Sequence, residues 1–452
     1  MGKVGKWWKW GSGGNGGSGE VGEVVEVVKV LNWVKCLNGF LNSMYGMRFC
    51  LFCLFIGLTH LLTGQNEKPI VLEHANLCNG IQNKIFFNAR VYIKDKKIVR
   101  IDTLEGVRLP GYEVIDCGGN YLLPGLIDAH THLDNLAAAR RALETGVTTV
   151  RTAGVSAYQD VALANLVMKG FIPGPDIIPA GVFVTPQLGE TILADLRLDT
   201  LFTGVTSLSR LRHLVKINIE RGAKVIKTRG TERAGTAETD PRQQVYTKEE
   251  LKAVVDEAAK YHVPVMVHAH GDEGARAAVL AGAKSIEHGT FLSDSTLNLM
   301  KKMGTFLVPT FITLEDLSQP GGDYNGPVLE LRGKFMMPQA EKVFRKALTL
   351  GIPIVTGADN SYTAASTSRI SLECQHFVRM GMSPFQAIQS ATIVAARLLG
   401  IENKTGSLEE GKEADLLLVP GNPLEEIRYL QDALMVISNG QIALKRIPFG
   451  KE

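Results

Sequence analysis

Residues 122–132 read LLPGLIDAHTH, and the rhythm of the chain changes at this stretch. Before it, short β-like segments such as IFFNARVYI (85–93) and KKIVRID (96–102) are separated by turn residues, which predicts a small sheet. After it, to about residue 404, short apolar runs alternate with segments of helical period. This alternation is typical of βαβ units and predicts a parallel sheet in an α/β fold.

The apolar runs predict a particular number of strands. Eight runs are each followed by a plausible helix, such as 248–261 or 338–350. The runs are GLIDAHTH (125–132), VTTVRTAG (147–154), DIIPAGVFV (176–184), AKVIKT (223–228), PVMVHAH (264–270), SIEHG (285–289), FLVPTF (306–311) and PIVTGAD (353–359). Eight strand–helix units within 123–404 suit a (β/α)8 TIM barrel, which usually needs about 250 residues. The alternative is an open doubly wound sheet, but the glycine-rich phosphate turn usual after its first strand is missing.

The C-terminal part of the chain is again β-like. It contains TGSLEEGKEADLLLVPGNP (405–423) and then LMVISNGQIAL (434–444). These segments would naturally rejoin the N-terminal sheet. We therefore expect a small β-sandwich domain built from 65–122 and 405–452, beside a barrel domain formed by 123–404.

The N-terminal part of the sequence does not resemble a folding unit. Residues 1–46 contain the run GSGGNGGSG and a Val/Glu repeat, and we interpret them as a low-complexity extension upstream of the true start, Met47 or Met44. In 47–64, Arg48 precedes about ten apolar residues and then a polar stretch, as in a secretory signal peptide. The prediction is a secreted or periplasmic protein. The alternative for this segment is a buried hydrophobic stretch or a membrane anchor.

Charge and cysteine content exclude several classes of protein. The whole chain carries a net charge of +3, and residues 1–64 hold six basic and three acidic residues, so the remainder is neutral. A neutral chain lacks the basic excess expected of a nucleic-acid or anionic-membrane partner. No apolar stretch reaches the roughly 18 residues of a membrane span. Cys78, Cys117 and Cys374 are scattered and predicted to be core residues.

Polar side chains stand at the carboxyl ends of five predicted strands, where catalytic groups of a barrel collect. They are His130 and His132, Lys227, His268 and His270, His288, and Asp359. Residues two apart on a strand point the same way, so His130 and His132 can meet one metal ion. Taken singly, each has an ordinary explanation, such as a solvent-reaching Lys227, a hydrogen-bonded His288 or a helix-capping Asp359. Together they predict a metal site.

The segment after the fourth strand, TRGTERAGTAETDPRQQVY (228–246), brings arginines near the predicted mouth. Arg229, Arg233 or Arg242 could pair through its guanidinium with a substrate carboxylate. The alternative for each is a solvated loop charge. The interpretation favours a small-molecule substrate with a carboxylate, and it is compatible with a homo-oligomer.

At this point the sequence resembles the amidohydrolase superfamily, most closely its imidazolonepropionase-like and prolidase-like branch. The similar motifs recur in order and at barrel spacing from about residue 70 to the end. They are PGLIDAHTHLD (124–134), GVTTVRTAG (146–154), AKVIKT (223–228), VMVHAHG (265–271), SIEHG (285–289), VTGAD (355–359), SATIVAARLLGI (390–401) and TGSLEEGKEADLLLV (405–419).

The resemblance implies a centre of two divalent metal ions. His130 and His132 would bind the more buried ion, and Asp359 would ligate that ion and shuttle a proton. Lys227, as a carbamate formed with CO2, would bridge the two ions and so solve the cost of burying a free ammonium. Zinc is the expected metal because imidazole ligands suit it.

The second ion would be held by His268 and His288. His270 lies on the same side of its strand as His268, so which of the two is the ligand stays open. We favour His268 because it is still within the strand, and we assign His270 to a substrate contact.

The reaction implied by the resemblance is hydrolysis of an amide or related C–N bond by a metal-activated hydroxide, with Asp359 returning the proton to the leaving nitrogen. A dipeptide or N-acyl amino acid is the expected substrate. Family members that cleave dipeptides often carry Gly-Gly-His-Gly after strand 3, where this chain reads VTPQLGE (184–190), which weakens an Xaa-Pro assignment.

Two alternatives differ from this interpretation. A mononuclear imidazolonepropionase-type cyclic amide hydrolase or deaminase would carry a catalytic glutamate shortly after His268, whereas Glu273 stands five residues on. A catalytically silent binding barrel would have lost a ligand position, yet all six are present.

Overall fold

The computed structural model describes residues 68–103, 105–320 and 326–447. The predictions for 1–46 and 47–64 therefore lie outside the described residues. No helix among those described combines the length and the apolar character that crossing a bilayer requires.

The described strands and helices follow the predicted alternation. The strands are β1 (Ile70–Leu77), β2 (Phe86–Lys94), β3 (Lys97–Thr103), β4 (Glu113–Asp116), β5 (Tyr121–Pro124), β6 (Leu126–Thr131), β7 (Val147–Thr152), β8 (Asp176–Ile178), β9 (Ile226–Arg229), β10 (Val265–Ala269), β11 (Ser285–His288), β12 (Phe306–Val308), β13 (Leu416–Val419), β14 (Met435–Ser438) and β15 (Gln441–Lys445). The helices are α1 (Leu136–Glu144), α2 (Gln159–Met168), α3 (Leu208–Arg221), α4 (Lys248–Ala259), α5 (Asp272–Ala281), α6 (Asp294–Met303), α7 (Phe311–Ser318), α8 (Pro327–Leu350), α9 (Ile370–Arg379), α10 (Pro384–Ser390) and α11 (Ile393–Leu399). Short 3-10 helices span Gly189–Ala194, Leu196–Leu201 and Ile427–Gln431.

One mixed sheet joins the two ends of the described chain. Its order is β15-β14-β13-β5-β1-β2-β3, and β4 pairs with β1. β13 pairs antiparallel with β5, placing Leu417 opposite Leu123. The C-terminal strands therefore join the N-terminal sheet, as predicted. Backbone hydrogen bonds also tie the 411–414 segment, which leads into β13, to residues 96–98 at the start of β3.

The central strands form two parallel sheets, in the orders β6-β7-β8 and β12-β11-β10-β9. A single parallel bridge between Val184 and Thr228 connects them. The predicted eighth strand, 353–359, forms no regular strand, but parallel bridges join Ile354 to Leu307 and Asn360 to Thr131 on its two sides. Seven of the eight predicted strands are thus present, and the parallel α/β organisation is confirmed.

Helix ends follow local chemistry. Thr247 and Glu250 form a reciprocal capping box that begins α4 where the sequence predicted it, and the αL conformation of Gly222 ends α3. α8 differs from the predicted 338–350, because it begins at Pro327 and runs through Pro338. An internal proline costs about 3 kcal/mol. The buried side chains of Leu329, Met336 and Phe344 on both sides of it offset that cost by packing.

β13 contributes to two hydrophobic cores. Leu416 and Leu418 pack with the side chains of the mixed sheet, whereas Leu417 and Val419 join the large core around the parallel strands. Successive side chains of a strand point to opposite faces, so alternate residues of β13 reach different cores. Leu417 lies so close to Gly146 that a Cβ there would come within 2.9 Å of its Cδ2 atom. β13 therefore packs against both the mixed sheet and the large core, and Leu123 of β5 and Val436 of β14 also belong to that core.

We expect Leu417→Ala to lower the free energy of unfolding by about 2–5 kcal/mol, because it removes a fully buried side chain from the packed junction. Urea denaturation of the purified protein measures the change. Leu331→Ala, at a side chain that is 71% exposed on α8, is the matched control and should shift stability by no more than about 0.5 kcal/mol. Equal effects of the two substitutions would contradict the proposed packing role of Leu417.

Candidate active site

The predicted polar residues meet at the carboxyl ends of the parallel strands. Strand geometry brings them there, because parallel strands end at the same edge. The cavity that they line has a volume of about 320 Å³. The predicted residues that line it are His130, His132, Lys227, Arg233, His268, His270, His288 and Asp359. Except for His132 and Arg233, all of these are almost completely buried.

His130, His132 and Asp359 form the first group of metal-ligand atoms. His132 Nδ1 lies 2.8 Å from the carbonyl oxygen of Gly154, which can only accept, so a neutral ring carries its proton there. His132 Nε2 then presents a lone pair to Asp359 Oδ1 at 3.1 Å. Two acceptors at that distance require a proton or a cation between them. This donor set therefore fits a metal ion.

Glu287 orients His130 in the same way. His130 Nδ1 lies 2.7 Å from Glu287 Oε2, so the ring donates outwards and turns Nε2 into the cavity, 3.3 Å from Asp359 Oδ1. Burial alone would raise the pKa of Glu287, but the Arg151 charge and the hydrogen bond from His130 lower it to about 2. The carboxylate is ionised and fixes the tautomer of a candidate ligand.

His268, His270 and His288 form the second group, with ligand nitrogens within 4.8 Å of one another. Each ring has one nitrogen engaged outside the group: His268 Nε2 with the Glu232 carbonyl at 3.0 Å, and His288 Nδ1 with the Thr310 hydroxyl at 2.7 Å.

His270 Nδ1 likewise meets the Thr290 hydroxyl at 2.8 Å. Burial lowers the pKa of His268 and His288 well below the ordinary value, and that of His270 to about 3. The rings are neutral, and their remaining nitrogens can bind a cation. Both His268 and His270 belong to this group, so the structure brings together the two residues between which the sequence left the ligand open.

Lys227 lies at the cavity floor with 3% of its surface exposed. Its Nζ is 3.3 Å from His130 Nε2 and 5.7 Å from the centre of the Phe183 ring. Within the described residues no carboxylate lies within ion-pair distance of this ammonium. Desolvation lowers the pKa of Lys227 to about 8, so a neutral amine is accessible near physiological pH.

Arg151 and Glu287 are site residues that the sequence analysis missed. Arg151, on β7, donates from Nη2 to Glu287 Oε1 at 3.0 Å and from Nε to the Ala129 carbonyl at 2.6 Å. A positive φ of 72° at His288 breaks the alternation of β11, so Glu287 and His288 both contact His130. The sequence did contain a signal for both residues, because each is an isolated charge within an apolar strand.

Asp128 connects the two sides of the first group. Its carboxylate accepts from the His130 amide at 3.0 Å, the Ala358 amide at 3.1 Å and the Tyr362 hydroxyl at 2.8 Å. Burial raises the pKa of Asp128 to about 6. Through these bonds one side chain holds both β6 and the segment that carries Asp359.

The predicted arginines differ in position. Arg233 is exposed and lines the cavity, with no carboxylate of the described residues in ion-pair contact. Arg229 does not line it: its guanidinium pairs with Glu232 at 2.8 Å. Arg242 is paired with Asp240 at 2.8 Å on the outside of the loop. A direct substrate role is therefore geometrically open to Arg233, whereas Arg229 is engaged within the protein.

Arg151→Met should lower the free energy of unfolding by about 3–5 kcal/mol, because it leaves Glu287 as an uncompensated buried charge. Denaturant titration at neutral pH measures the loss, and the double substitution Arg151→Met with Glu287→Met should recover part of it. Lys252→Met breaks an exposed pair with Asp256 and serves as control, with an expected change within about 0.5 kcal/mol. A change of that small size for Arg151→Met would contradict the buried pairing.

Comparison with known proteins gives a consistent result. The model of the amidohydrolase family matches residues 121–443. Ochratoxinase from Aspergillus niger is 29% identical over 82% of this chain and 85% of its own length. Imidazolonepropionase from Geobacillus sp. is 24% identical, covering 85% of this chain and 95% of its own.

Among solved structures, a Xaa-Pro dipeptidase with methionine bound in its active site superimposes with a TM-score of 0.74. Its sequence is 29% identical to this chain, and the match covers 83% of this chain and 99% of the dipeptidase. The fold is accordingly of the TIM-barrel type within the α/β class.

Proposed function

The chain belongs to the amidohydrolase family and is a hydrolase that acts on carbon–nitrogen bonds, and we propose that it cleaves the amide bond of a dipeptide or N-acyl amino acid. One observation carries this proposal: two groups of atoms that can ligate a metal ion line one cavity. Neutral imidazoles and a carboxylate in such a set are suited to divalent ions, zinc above all.

The proposed ligand assignment follows from the two groups. His130, His132 and Asp359 would hold one ion, and His268 and His288 the other. His270 belongs to the second group geometrically and is proposed as an alternative ligand or a substrate contact.

Lys227 is proposed to become a carbamate, which would serve as an anionic ligand for the divalent ions. Its neutral amine attacks CO2: an N–C bond forms while one C=O π bond of CO2 opens to give a carboxylate oxygen, and the nitrogen loses one proton to solvent. The product is an anion in place of a buried ammonium that has no carboxylate partner among the described residues, which supports the conversion. The pKa of about 8 leaves a usable share of the neutral amine at neutral pH.

Asp359 is proposed to move the proton in the reaction. Bound divalent ions supply activation of water near neutral pH and polarisation of the scissile carbonyl. Asp359 lies beside both histidines of the first group and borders the cavity, so it can take a proton from the attacking water and return it to the leaving nitrogen. Asp128 bonds the amide of Ala358, next to Asp359, and Glu287 bonds the His130 ring. These bonds keep both groups in one orientation.

Arg233 is proposed to bind the substrate carboxylate. It is the cation at the rim, and apolar side chains line the cavity at Val155, Phe183, Leu188 and Leu314. A substrate with an apolar group on one side of the amide and a carboxylate on the other fits this division. The relatives named for ochratoxin hydrolysis and for Xaa-Pro dipeptide hydrolysis support hydrolysis of this general class.

The VTPQLGE stretch weakens an Xaa-Pro assignment. Thr185, Gln187 and Leu188 of this stretch line the cavity where the dipeptide-cleaving members often have Gly-Gly-His-Gly. Against the mononuclear alternative, Glu273 is exposed and does not line the cavity.

The finer architecture and the location of the protein are also proposals. The parallel bridges support closure of the two parallel sheets into a (β/α)8 barrel over 123–404. The pairing of β13 with β5 and the backbone bonds between 411–414 and 96–98 support a β-sandwich of 65–122 with 405–452. Export through cleavage of 47–64 is proposed from sequence alone, and N-terminal sequencing of exported protein tests it.

Zinc-loaded protein should hydrolyse members of a dipeptide and N-acyl amino acid library and should contain two ions per chain by elemental analysis. Asp359→Asn is expected to lower kcat by roughly a hundredfold or more, because it removes the proton-transferring carboxylate. The control Asp256→Asn, on the exposed face of α4, should leave kcat unchanged. One ion per chain in an active preparation would contradict the binuclear assignment, and no hydrolysis across the library would contradict the substrate class.

Arg233→Met should raise KM about tenfold or more for a substrate with a free carboxylate and leave KM for its C-terminal amide unchanged. Steady-state kinetics on the two matched substrates measures the difference. Arg242→Met removes a neighbouring arginine that is paired outside the cavity, and it should alter neither value. If Arg233→Met affected both substrates equally, the carboxylate contact would be wrong.

A further inference from the structure

The loop after β9 is a hairpin whose tip, 233–242, forms one rim of the cavity. Backbone hydrogen bonds hold its two arms together; for example, the Glu232 amide donates to the Gln243 carbonyl at 2.9 Å. The first arm is also fixed to the site, because His268 Nε2 donates to the Glu232 carbonyl at 3.0 Å. The tip lies beyond these bonds. Inside it the Thr239 hydroxyl donates to the Arg233 carbonyl at 2.7 Å, and a further support comes from outside the loop.

Arg332, on α8, supplies that support. Its Nη1 donates to the carbonyl oxygens of Ala234 at 2.6 Å and Thr236 at 2.7 Å. Its Nη2 donates to those of Ala237 at 3.0 Å and Thr239 at 2.7 Å. A planar guanidinium can serve several acceptors in fixed directions, which the single nitrogen of a lysine cannot match. One side chain therefore gathers four carbonyls of the tip.

The position of Arg332 is itself fixed by the packing of α8 against α7. At the next residue, a Cβ on Gly333 would lie 2.7 Å from the Ser318 amide and 2.9 Å from the Leu317 carbonyl carbon, so α8 lies directly on the end of α7. α7 lines the cavity through Thr313, Leu314 and Leu317. Arg332 thus connects the α7–α8 pair to the hairpin tip, and both α7 and the tip line the cavity.

We propose that Arg332 is a positioning residue that holds the hairpin tip so that Arg233 is presented to the substrate carboxylate. The inference rests on the proposed carboxylate contact of Arg233. Arg332 does not line the cavity, so it acts through the tip and not on the substrate. Loss of its four hydrogen bonds frees the tip and disperses the Arg233 guanidinium over many positions, which weakens binding more than turnover.

The structural half of the inference is testable without substrate. The tip contains Arg233 and Arg242, both sites for trypsin. Arg332→Met should accelerate tryptic cleavage at these two arginines and amide hydrogen exchange over 233–242 by about tenfold, while Arg332→Lys gives intermediate rates. The control Arg345→Met removes another α8 arginine, which donates to the Met380 carbonyl, and should leave the tip unchanged. Unchanged cleavage and exchange rates in Arg332→Met would overturn the inference.

The functional half is read as a split between KM and kcat. Arg332→Met should raise KM about tenfold for the carboxylate substrate, with kcat within twofold and little effect on the C-terminal amide. Adding it to Arg233→Met should cause no further loss, because both act through one contact. Equal losses for the two substrates, or a loss in kcat alone, would overturn the positioning role. If the wild type hydrolyses no carboxylate substrate, the proposed function fails, and the proteolysis and exchange rates still decide whether Arg332 holds the tip.

Discussion

The site depends on one constraint: each inward-facing imidazole has its other nitrogen engaged by a partner outside the ligand groups. For His130 that partner is the Glu287 carboxylate, and for His132 it is the Gly154 carbonyl. These bonds fix both the ring orientation and the nitrogen that keeps its lone pair. Protein groups therefore hold the imidazoles of the site in place before any ligand binds.

Collecting so many polar groups in one core is costly, and the fold offsets the cost with specific partners. Glu287 is fully buried, and it is paired with Arg151 and bonded to His130. Lys227 is the exception, since its neighbourhood holds imidazole and an aromatic ring and no ion-paired carboxylate among the described residues. A strained electrostatic position of this kind marks a functional residue more often than a structural one.

The sequence predicted the parts of the structure that depend on short-range patterns. The strand that ends in His130 and His132 was predictable because apolar runs and two-residue alternation are local signals. The Arg151–Glu287 pair was not, because these residues meet only when β7 and β11 face each other across the fold. Arg229 and Arg233 looked equivalent in sequence, and only the pairing with Glu232 separates them. Long-range neighbours, which no local pattern encodes, set these differences.

The pairing of β5 with β13 has a consequence for biosynthesis. β5 is among the first described strands to leave the ribosome, but its partner is synthesised near the end of the chain. Until β13 is synthesised, one edge of β5 has no partner strand. The large core also lacks the side chains of Leu417 and Val419. Contacts of such sequence separation slow folding and leave the nascent chain exposed to aggregation. The mixed sheet therefore cannot be completed before β13 has been synthesised.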